Sequence, residues 1–591
     1  MTHRNHPSQS AGQKQNTFFG GAAILAIGIL VVKLIGMFYK IPLVNIIGEQ
    51  GTADFNNAYN IYAVLLTIST AGLPVAVSKL VSEANALGRR NQVRRTFQLS
   101  LGLFLSLGVA SFLVMYFRAD WLAGLMNDDK AAPGIQALAP AVICVGCLAA
   151  FRGYSQGHSN MTPTSVSQII EALCKLVIGL ALASWLVKQG RPPEIAAAGA
   201  ITGVTVGTIV ALAYMVLTFL LDWLREPKRS GDTPDSAGSI LTNILRIAIP
   251  ITLSSSMVGI VTVIDSSLVQ GQLQKVLLEN PDSWNLYSGF VDFAPLSAAL
   301  ESWKATLASG AAADMAQLAG DASAAASTLN EELQAVSRTL YGNYGGALNI
   351  YNLPTSLMAA ITASVIPAVS ASLAKKDRRG SARITGSALR ITALLAMPMG
   401  MGLFVLGEPI MMLLFPGLTG ELAGPLLSTL GLATPFVCLM LVANSVLQAH
   451  GFVNLPVVVM VLGGVLKIVT NYNVVAQPSL GIYGAPAGNI LCFGLCLLLD
   501  LIIISRVIPN RPRYSTIFLK PLAASLIMGA GAWAVYGLVF KFLESNTIAV
   551  LGSICVAVVI YFVLVVALRC LSREDLQLMP KGDKIARLLR L

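Results

Sequence analysis

Apolar residues recur along this chain in runs of about 18 to 30, each long enough to cross a ~30 Å hydrocarbon layer as a helix, and short polar stretches separate them. Candidate spans lie near 18–47, 57–82, 97–117, 135–152, 163–187, 195–222, 243–270, 346–372, 385–407, 425–447, 454–475, 482–508, 518–543 and 546–571. The pattern predicts an all-α polytopic membrane protein with about 14 transmembrane helices. The polar start leads into an apolar run that continues through Lys33 without a small-residue cleavage site, so the first span reads as a retained helix.

The chain also repeats itself. Ala58-Tyr59-Asn60-Ile61-Tyr62, Leu73-Pro74-Val75-Ala76-Val77-Ser78 and Arg89-Arg90 return in order as Ala347-Leu348-Asn349-Ile350-Tyr351, Ile366-Pro367-Ala368-Val369-Ser370 and Arg378-Arg379. Gln156-Gly157-His158, Pro163 and Lys175 return as Gln448-Ala449-His450, Pro456 and Lys467, about 290 residues later. That offset spans an even number of predicted helices, so the halves share one orientation, and parallel repeats of this kind enclose a central site and rock about it. The expected layout is a tail over 1–17, a six-helix lobe over 18–222, a linker over 223–242, a second six-helix lobe over 243–508, two appended helices over 518–571, and a basic tail over 572–591.

Charge adds orientation. Arg89, Arg90, Arg94 and Arg95, then Arg225, Lys228 and Arg229, then the cluster from Lys375 to Arg383, then Arg506 to Lys520 all fall in alternate loops. The opposite loops hold about a third as many bases, which predicts cytoplasmic N- and C-termini. One outer loop departs from the rest: residues 276–345 carry Glu279, Asp282, Asp292, Glu301, Asp314, Asp321, Glu331 and Glu332. It reads as one or two amphipathic helices outside the membrane, a tolerated insertion or a partner-binding hairpin.

The 591 residues are 55% hydrophobic and only 12% charged, with a mean hydropathy of +0.70, so lipid is the chain's solvent. The formal charge of +11 is spread over the loop clusters and forms no contiguous nucleic-acid face. All eight cysteines lie in or at the ends of apolar runs and offer no disulfide or zinc framework, Cys144-x-x-Cys147 included. P-loop, G-x-S-x-G, H-E-x-x-H and dinucleotide-turn motifs are absent, so the chain reads as a transporter and not an enzyme, with no cofactor. A coupling cation, Na+ or H+, or the membrane potential would drive it.

Charges inside the spans point to the site. Lys33 and Lys40 stand two turns apart, roughly 10 Å, on one face of the first helix, flanking Gly36 and followed by Pro42. Snorkelling of Lys40 and pairing of Lys33 is one reading; a watery cavity holding an anion is the other. Glu171 and Lys175 have the spacing of an intrahelical ion pair, whereas Lys467 has Gly463 where an acid would stand. Asp265 is placed to bind a coupling cation or to pair with a lysine, and Asp265, Glu171 and Lys175 are the ion-coupling candidates. His158 and His450 read as helix-end contacts.

The run Phe151-Arg152-Gly153-Tyr154-Ser155-Gln156-Gly157-His158-Ser159-Asn160-Met161-Thr162-Pro163-Thr164-Ser165-Val166-Ser167-Gln168-Ile169-Ile170-Glu171, with Ser69 to Glu83, resembles the stage V sporulation protein B branch of the polysaccharide exporters. That branch is similar to the MurJ-type lipid II flippases, and the superfamily also holds MATE drug exporters. The resemblance implies a MATE/MurJ-like, V-shaped, alternating-access transporter in the bacterial cytoplasmic membrane. It would flip undecaprenyl-pyrophosphate-linked peptidoglycan precursor, with the appended helices grooved for the lipid tail. It further implies that Lys33, Gly36 and Lys40 stand where the flippases carry two arginines around a glycine, that Asp54 matches their following acid, and that Asn349 falls where they carry an arginine. Substrate binding would then rest on Lys33, Gly36, Lys40, Asp54, Asn349 and Lys467, with lysine point charges in place of guanidinium forks. The partners implied are a polyprenyl-pyrophosphate-linked saccharide, membrane lipids and, at the insertion 276–345, a cell-wall synthesis partner. A drug or organic-cation antiporter, an exporter of another polyprenyl-linked unit, a membrane glycosyltransferase and a non-transporting scaffold are the alternatives.

Overall fold

Helix breakers decide where the apolar runs become separate rods. In a computed structural model describing residues 10–70, 72–158, 160–225, 231–309, 315–374, 376–452, 454–507 and 514–570, the chain begins with α1 (Ser10–Thr70), bent at Gly48. Gly48 has φ +68° and ψ −164°, a backbone state essentially reserved for glycine. The predicted second span, 57–82, is divided: α1 ends at Thr70 and α2 (Leu73–Ala86) starts anew, with Pro74 in its first turn. A proline there cannot continue a preceding helix. Gly72 is required at the break, because a Cβ on it would stand 2.2 Å from the Ala248 carbonyl oxygen.

The chain divides into two compact units. The first comprises Met1–Ile46, Phe55–Leu125 and Asp129–Val263, the second Ile47–Asp54, Met126–Asp128 and Ile264–Leu591. The first unit holds α3 (Arg90–Phe117), α4 (Ala119–Leu125), α5 (Ala132–Gly157), α6 (Thr162–Cys174), α7 (Leu180–Lys188) and α8 (Pro193–Arg225). α9 (Ala237–Glu279) begins in it. Phe97, Phe151, Tyr154 and Phe219 pack ring on ring at its centre, with centroids 4.6–5.4 Å apart. Small residues bring helices together elsewhere: a Cβ on Gly146 would lie 2.6 Å from the Phe104 carbonyl oxygen, and one on Gly203 would lie 2.5 Å from the Gly179 backbone. The linker is ordered where it meets α3, since Asp232 accepts from the backbone N–H groups of Asn91 and Gln92 at 3.0 and 2.9 Å. It thereby caps a helix whose own N-cap, Arg89, provides no side-chain acceptor.

The second unit adds α10 (Ala294–Ser309), α11 (Met315–Ala374), α12 (Arg378–Val405), α13 (Gly407–Leu414), α14 (Gly420–Ala449), α15 (Leu455–Val474), α16 (Ala485–Val507), α17 (Tyr514–Leu543) and α18 (Asn546–Ala567). α14 is its axis, packed by α11, α12 and α16. The pair expected as an appendage, α17 and α18, seats Met528, Ala532 and Ala557 against Leu406, and the Tyr561 hydroxyl donates to the Leu394 carbonyl at 2.8 Å.

Among the described residues there is no strand, and ten helices are long and apolar enough to span a membrane. They coincide with ten of the fourteen expected spans. The remaining four, 18–47, 57–82, 243–270 and 346–372, fall on α1, α2, α9 and α11. The basic tail 572–591 lies outside the described residues, as do the first nine residues and the side chain of Lys33.

The acidic segment 276–345 differs from its sequence reading. Its second helix is no separate hairpin arm but the first half of α11, 60 residues long, or about 90 Å at 1.5 Å per residue. Nor is it a loose insertion. Leu333, Val336, Leu340, Tyr341 and Tyr344 are buried, and the Tyr287 hydroxyl accepts from the Ile482 N–H at 2.9 Å. Among the described residues Glu279, Asp282, Asp292, Glu301 and Glu331 are exposed, so composition reads as surface while the opposite stripe builds core.

Candidate functional site

Among the described residues, three clusters of charged side chains are withdrawn from solvent. The first surrounds a 520 Å³ cavity in the first unit, lined by Gly36, Tyr39, Tyr59, Gln156 and Gln168 together with Arg152, Glu171 and Lys175. Arg152 projects from the last turns of α5. Its Nη2 meets Glu171 Oε2 at 3.2 Å and its Nε donates to Ser167 Oγ at 3.0 Å. Sequence spacing pairs Glu171 with Lys175 along one helix; the structure gives Glu171 the guanidinium of the preceding helix. Lys175 Nζ lies 4.8 Å from the Tyr39 ring centroid and 4.6 Å from that of Tyr59. Each such contact contributes about 0.5–2 kcal/mol, more where water is excluded.

Local backbone sets this geometry. Lys175–Gly179 form a π turn between α6 and α7, a one-residue excess of the kind often found at functional sites. Gly203 and Gly207 of α8 allow it, because their missing side chains let the α6–α7 backbone approach: a Cβ on Gly207 would lie 2.7 Å from the Glu171 carbonyl oxygen. With Arg152 and Lys175 at +2 and Glu171 at −1, the three groups carry a net +1. Guanidinium and ammonium are the donors that phosphate oxygens take. Of the first-helix residues expected here, Gly36 lines the cavity, Lys40 is half-buried, and the Lys33 side chain is outside the described residues.

The second cluster is in the second unit. Lys467 Nζ sits 2.8 Å from Asp265 Oδ2, and Asn471 Nδ2 donates to Asp265 Oδ1. Lys467 and Asp265 are 8% and 6% exposed. Lys467, which lacks an acid on its own helix, thus takes one from α9, and a Cβ at Gly463 would strike Cys496 Sγ at 2.4 Å, so that position packs α15 on α16. Asn349 is buried in the same unit.

The third cluster joins Asp54, placed by the resemblance, to partners that sequence reasoning passed over. Arg338 donates to both Asp54 oxygens, from Nε at 2.7 Å and Nη2 at 2.5 Å, and its Nε lies 3.3 Å from Asp128 Oδ1. All three belong to the second unit, at most 5% exposed. Arg338 was hidden in a segment whose composition reads as solvated. Arg152 was hidden at the end of an apolar run, where a base ordinarily snorkels.

The repeat holds in detail. His158 and His450 are the C-caps of α5 and α14, each ring Nδ1 against the carbonyl four residues back, at 3.0 and 2.8 Å. Pro163 and Pro456 open the next helices.

Comparison with known proteins follows the same division. The family model for polysaccharide biosynthesis proteins matches residues 18–275 and that for lipid II flippase MurJ matches residues 294–554. Stage V sporulation protein B of Bacillus subtilis (strain 168) is 23% identical over 574 residues, covering 96% of this chain and 98% of that one. The chain is thus similar over nearly its whole length to stage V sporulation protein B, and in its two parts to polysaccharide biosynthesis proteins and to lipid II flippases. The membrane protein YabM of the same organism is 26% identical over 588 residues, 98% of each chain. Lipid II flippase MurJ of B. subtilis is 29% identical over 208 residues, 33% of this chain and 38% of that one. A solved structure titled lipid II flippase MurJ, inward closed conformation, shares this chain's fold with a TM-score of 0.63 at 14% identity, covering 92% of this chain and 98% of that one. An inward-facing MATE family transporter aligns with a TM-score of 0.57 at 14% identity, over 82% and 98%.

Proposed function

We propose that this protein is an exporter that carries a polyprenyl-pyrophosphate-linked saccharide, lipid II foremost, across the bacterial cytoplasmic membrane by alternating access. It would do so as two six-helix lobes plus two appended helices, with both termini cytoplasmic. The observation carrying this reading is the net-positive cavity of the first unit, where Arg152 and Lys175 stand beside the amides of Gln156 and Gln168. A pyrophosphate takes cationic donors, sugars take amide hydrogen bonds, and the polyprenyl chain takes the lipid around the apolar helices. Lys40 of the first helix is a further candidate contact for the cargo, and Asp54, Lys467 and Asn349 are candidates within the second unit. An organic-cation antiporter would want the Tyr39 and Tyr59 rings and the Glu171 carboxylate for its cargo. Here Lys175 holds the rings and Arg152 holds the acid.

The test is rescue of cells depleted of their lipid II flippase, with the protein's membrane level monitored. Wild type restores growth, and Arg152→Ala and Lys175→Ala each reduce rescue at least tenfold in viable counts. Full rescue by both variants would remove the cavity from the account. Failure of wild type to rescue, with the protein in the membrane, would exclude lipid II and leave the exporters of other polyprenyl-linked units.

A further inference from the structure

α16 carries an acid that none of the three clusters uses. Asn489, Cys492, Cys496 and Asp500 are spaced three, four and four residues apart and so share one face, and all are buried at 3% exposure or less. Asn489 donates to the Tyr344 hydroxyl at 2.9 Å, and Cys496 donates to the Val459 carbonyl at 3.5 Å. Asp500 closes the row with zero exposure, and neither of its carboxyl oxygens has a hydrogen-bond partner among the described residues.

The charged groups around it are committed elsewhere. On its own helix Arg506 is exposed and stands six residues on, about 120° around the axis. From α15, Lys467 is held by Asp265 at 2.8 Å, and Tyr472 is exposed. From α14, His450 bonds Ser381 and the Val446 carbonyl, Cys438 is a buried thiol with no positive charge to offer, and Glu421 lies in the first turn. Tyr483, before α16, stacks on Tyr287. The Tyr514 hydroxyl donates to the Leu501 carbonyl. Cys492 and Cys496 are thiols and supply no positive charge.

A carboxylate buried with no cation and no donor is strongly disfavoured, and protein interiors resolve this by keeping the group neutral. Ionisable residues inside membrane spans are costly and mark ion or proton paths. We propose that Asp500 is an exchangeable proton site: it holds one proton in this conformation and gives it to water when the C-terminal end of α16 becomes hydrated. The O–H bond breaks, the proton passes to solvent, and the carboxylate is left solvated. As the site of proton coupling it rests on the transporter reading, but as a proton site it stands on the geometry of α16 alone.

The experiment is an infrared pH titration of the purified full-length protein in lipid, in the carbonyl region for protonated carboxyls, across about pH 5 to 10. Wild type shows neutral-carboxyl absorption at pH 7, to which Asp54 also contributes, and the wild-type minus Asp500→Asn difference is a band of one group per chain that disappears reversibly as pH rises. The band is missing from Asp500→Asn, whose side chain copies the shape of the neutral acid, and displaced but present in Asp500→Glu. Asp500→Asn retains the wild-type melting midpoint; should it fail to fold, the displacement in Asp500→Glu carries the assignment. A band that ignores both substitutions, or one that persists unchanged to the alkaline end, overturns the proposal. So does a midpoint that moves when sodium replaces an organic cation at equal ionic strength. Because no cargo is used, this result is independent of whether the lipid-linked substrate is correctly named.

Discussion

Replacing Lys467 by methionine removes the cation 2.8 Å from Asp265 while keeping the bulk of the stem. The carboxylate left behind is 6% exposed and retains only the Asn471 amide. Breaking a buried pair from one side costs about 3–5 kcal/mol, because the cost is that of an uncompensated charge and not of a lost bond. Asp265→Asn alone strands the ammonium and costs a similar amount. The double variant, Asp265→Asn with Lys467→Met, strands neither, so its cost should fall to about 2 kcal/mol or less. The cycle then shows a coupling energy of several kcal/mol, far above the ~0.5 kcal/mol scatter of independent sites. The assay is reversible chemical unfolding in mixed micelles, followed by tryptophan fluorescence, at neutral pH. Single variants each costing under about 1 kcal/mol, with a double variant equal to their sum, would refute the claim that these two charges are a dry pair.

Two further expectations concern groups outside the spans. Asp54 is pushed up from its ordinary 3.8 to about 8 by burial and then by the neighbouring Asp128 charge, with Arg338 opposing. The folded protein therefore keeps a proton that the unfolded chain releases near pH 4. Its stabilising contribution is complete below that pH and is lost as pH rises toward about 8, at up to ~1.4 kcal/mol per unit. Unfolding of wild type between pH 5 and 7.5 should thus grow easier relative to Asp54→Asn, and parallel profiles would contradict the assignment. Asp232→Ala should lower stability by about 1 kcal/mol, the usual worth of a helix cap, and raise hydrogen exchange at Asn91 and Gln92 before it raises exchange elsewhere. Unchanged exchange at those two amides would show that the cap contributes nothing.

Hydrophobic periodicity was enough to read the helical membrane class and the duplication, because both depend on local pattern: the histidine caps and the helix-opening prolines recur where the repeat puts them. What escaped was pairing across the fold. Glu171 with Lys175 looked like a pair because only near neighbours are visible in a sequence, yet Arg152 comes 19 residues earlier on another helix. Lys467 looked unaccompanied for the same reason, its acid lying some 200 residues away in α9. Arg338 sat among acids that face water and was discounted with them. The π turn at Lys175 has no composition signal, since it is an effect of glycines on α8. Asp500, a single acid in an otherwise apolar run, reads as a tolerated exception until its burial is known.

The central claim is that the first unit's cavity holds the anionic head of a lipid-linked saccharide. Its most direct measurement is surface exposure of lipid II in flippase-depleted cells expressing either wild type or the doubly neutralised variant, Arg152→Gln with Lys175→Gln, at matched membrane levels. Wild type should restore exposure, and the variant should fall to the depleted background although the protein remains folded in the membrane. Exposure by the variant equal to wild type would contradict the account.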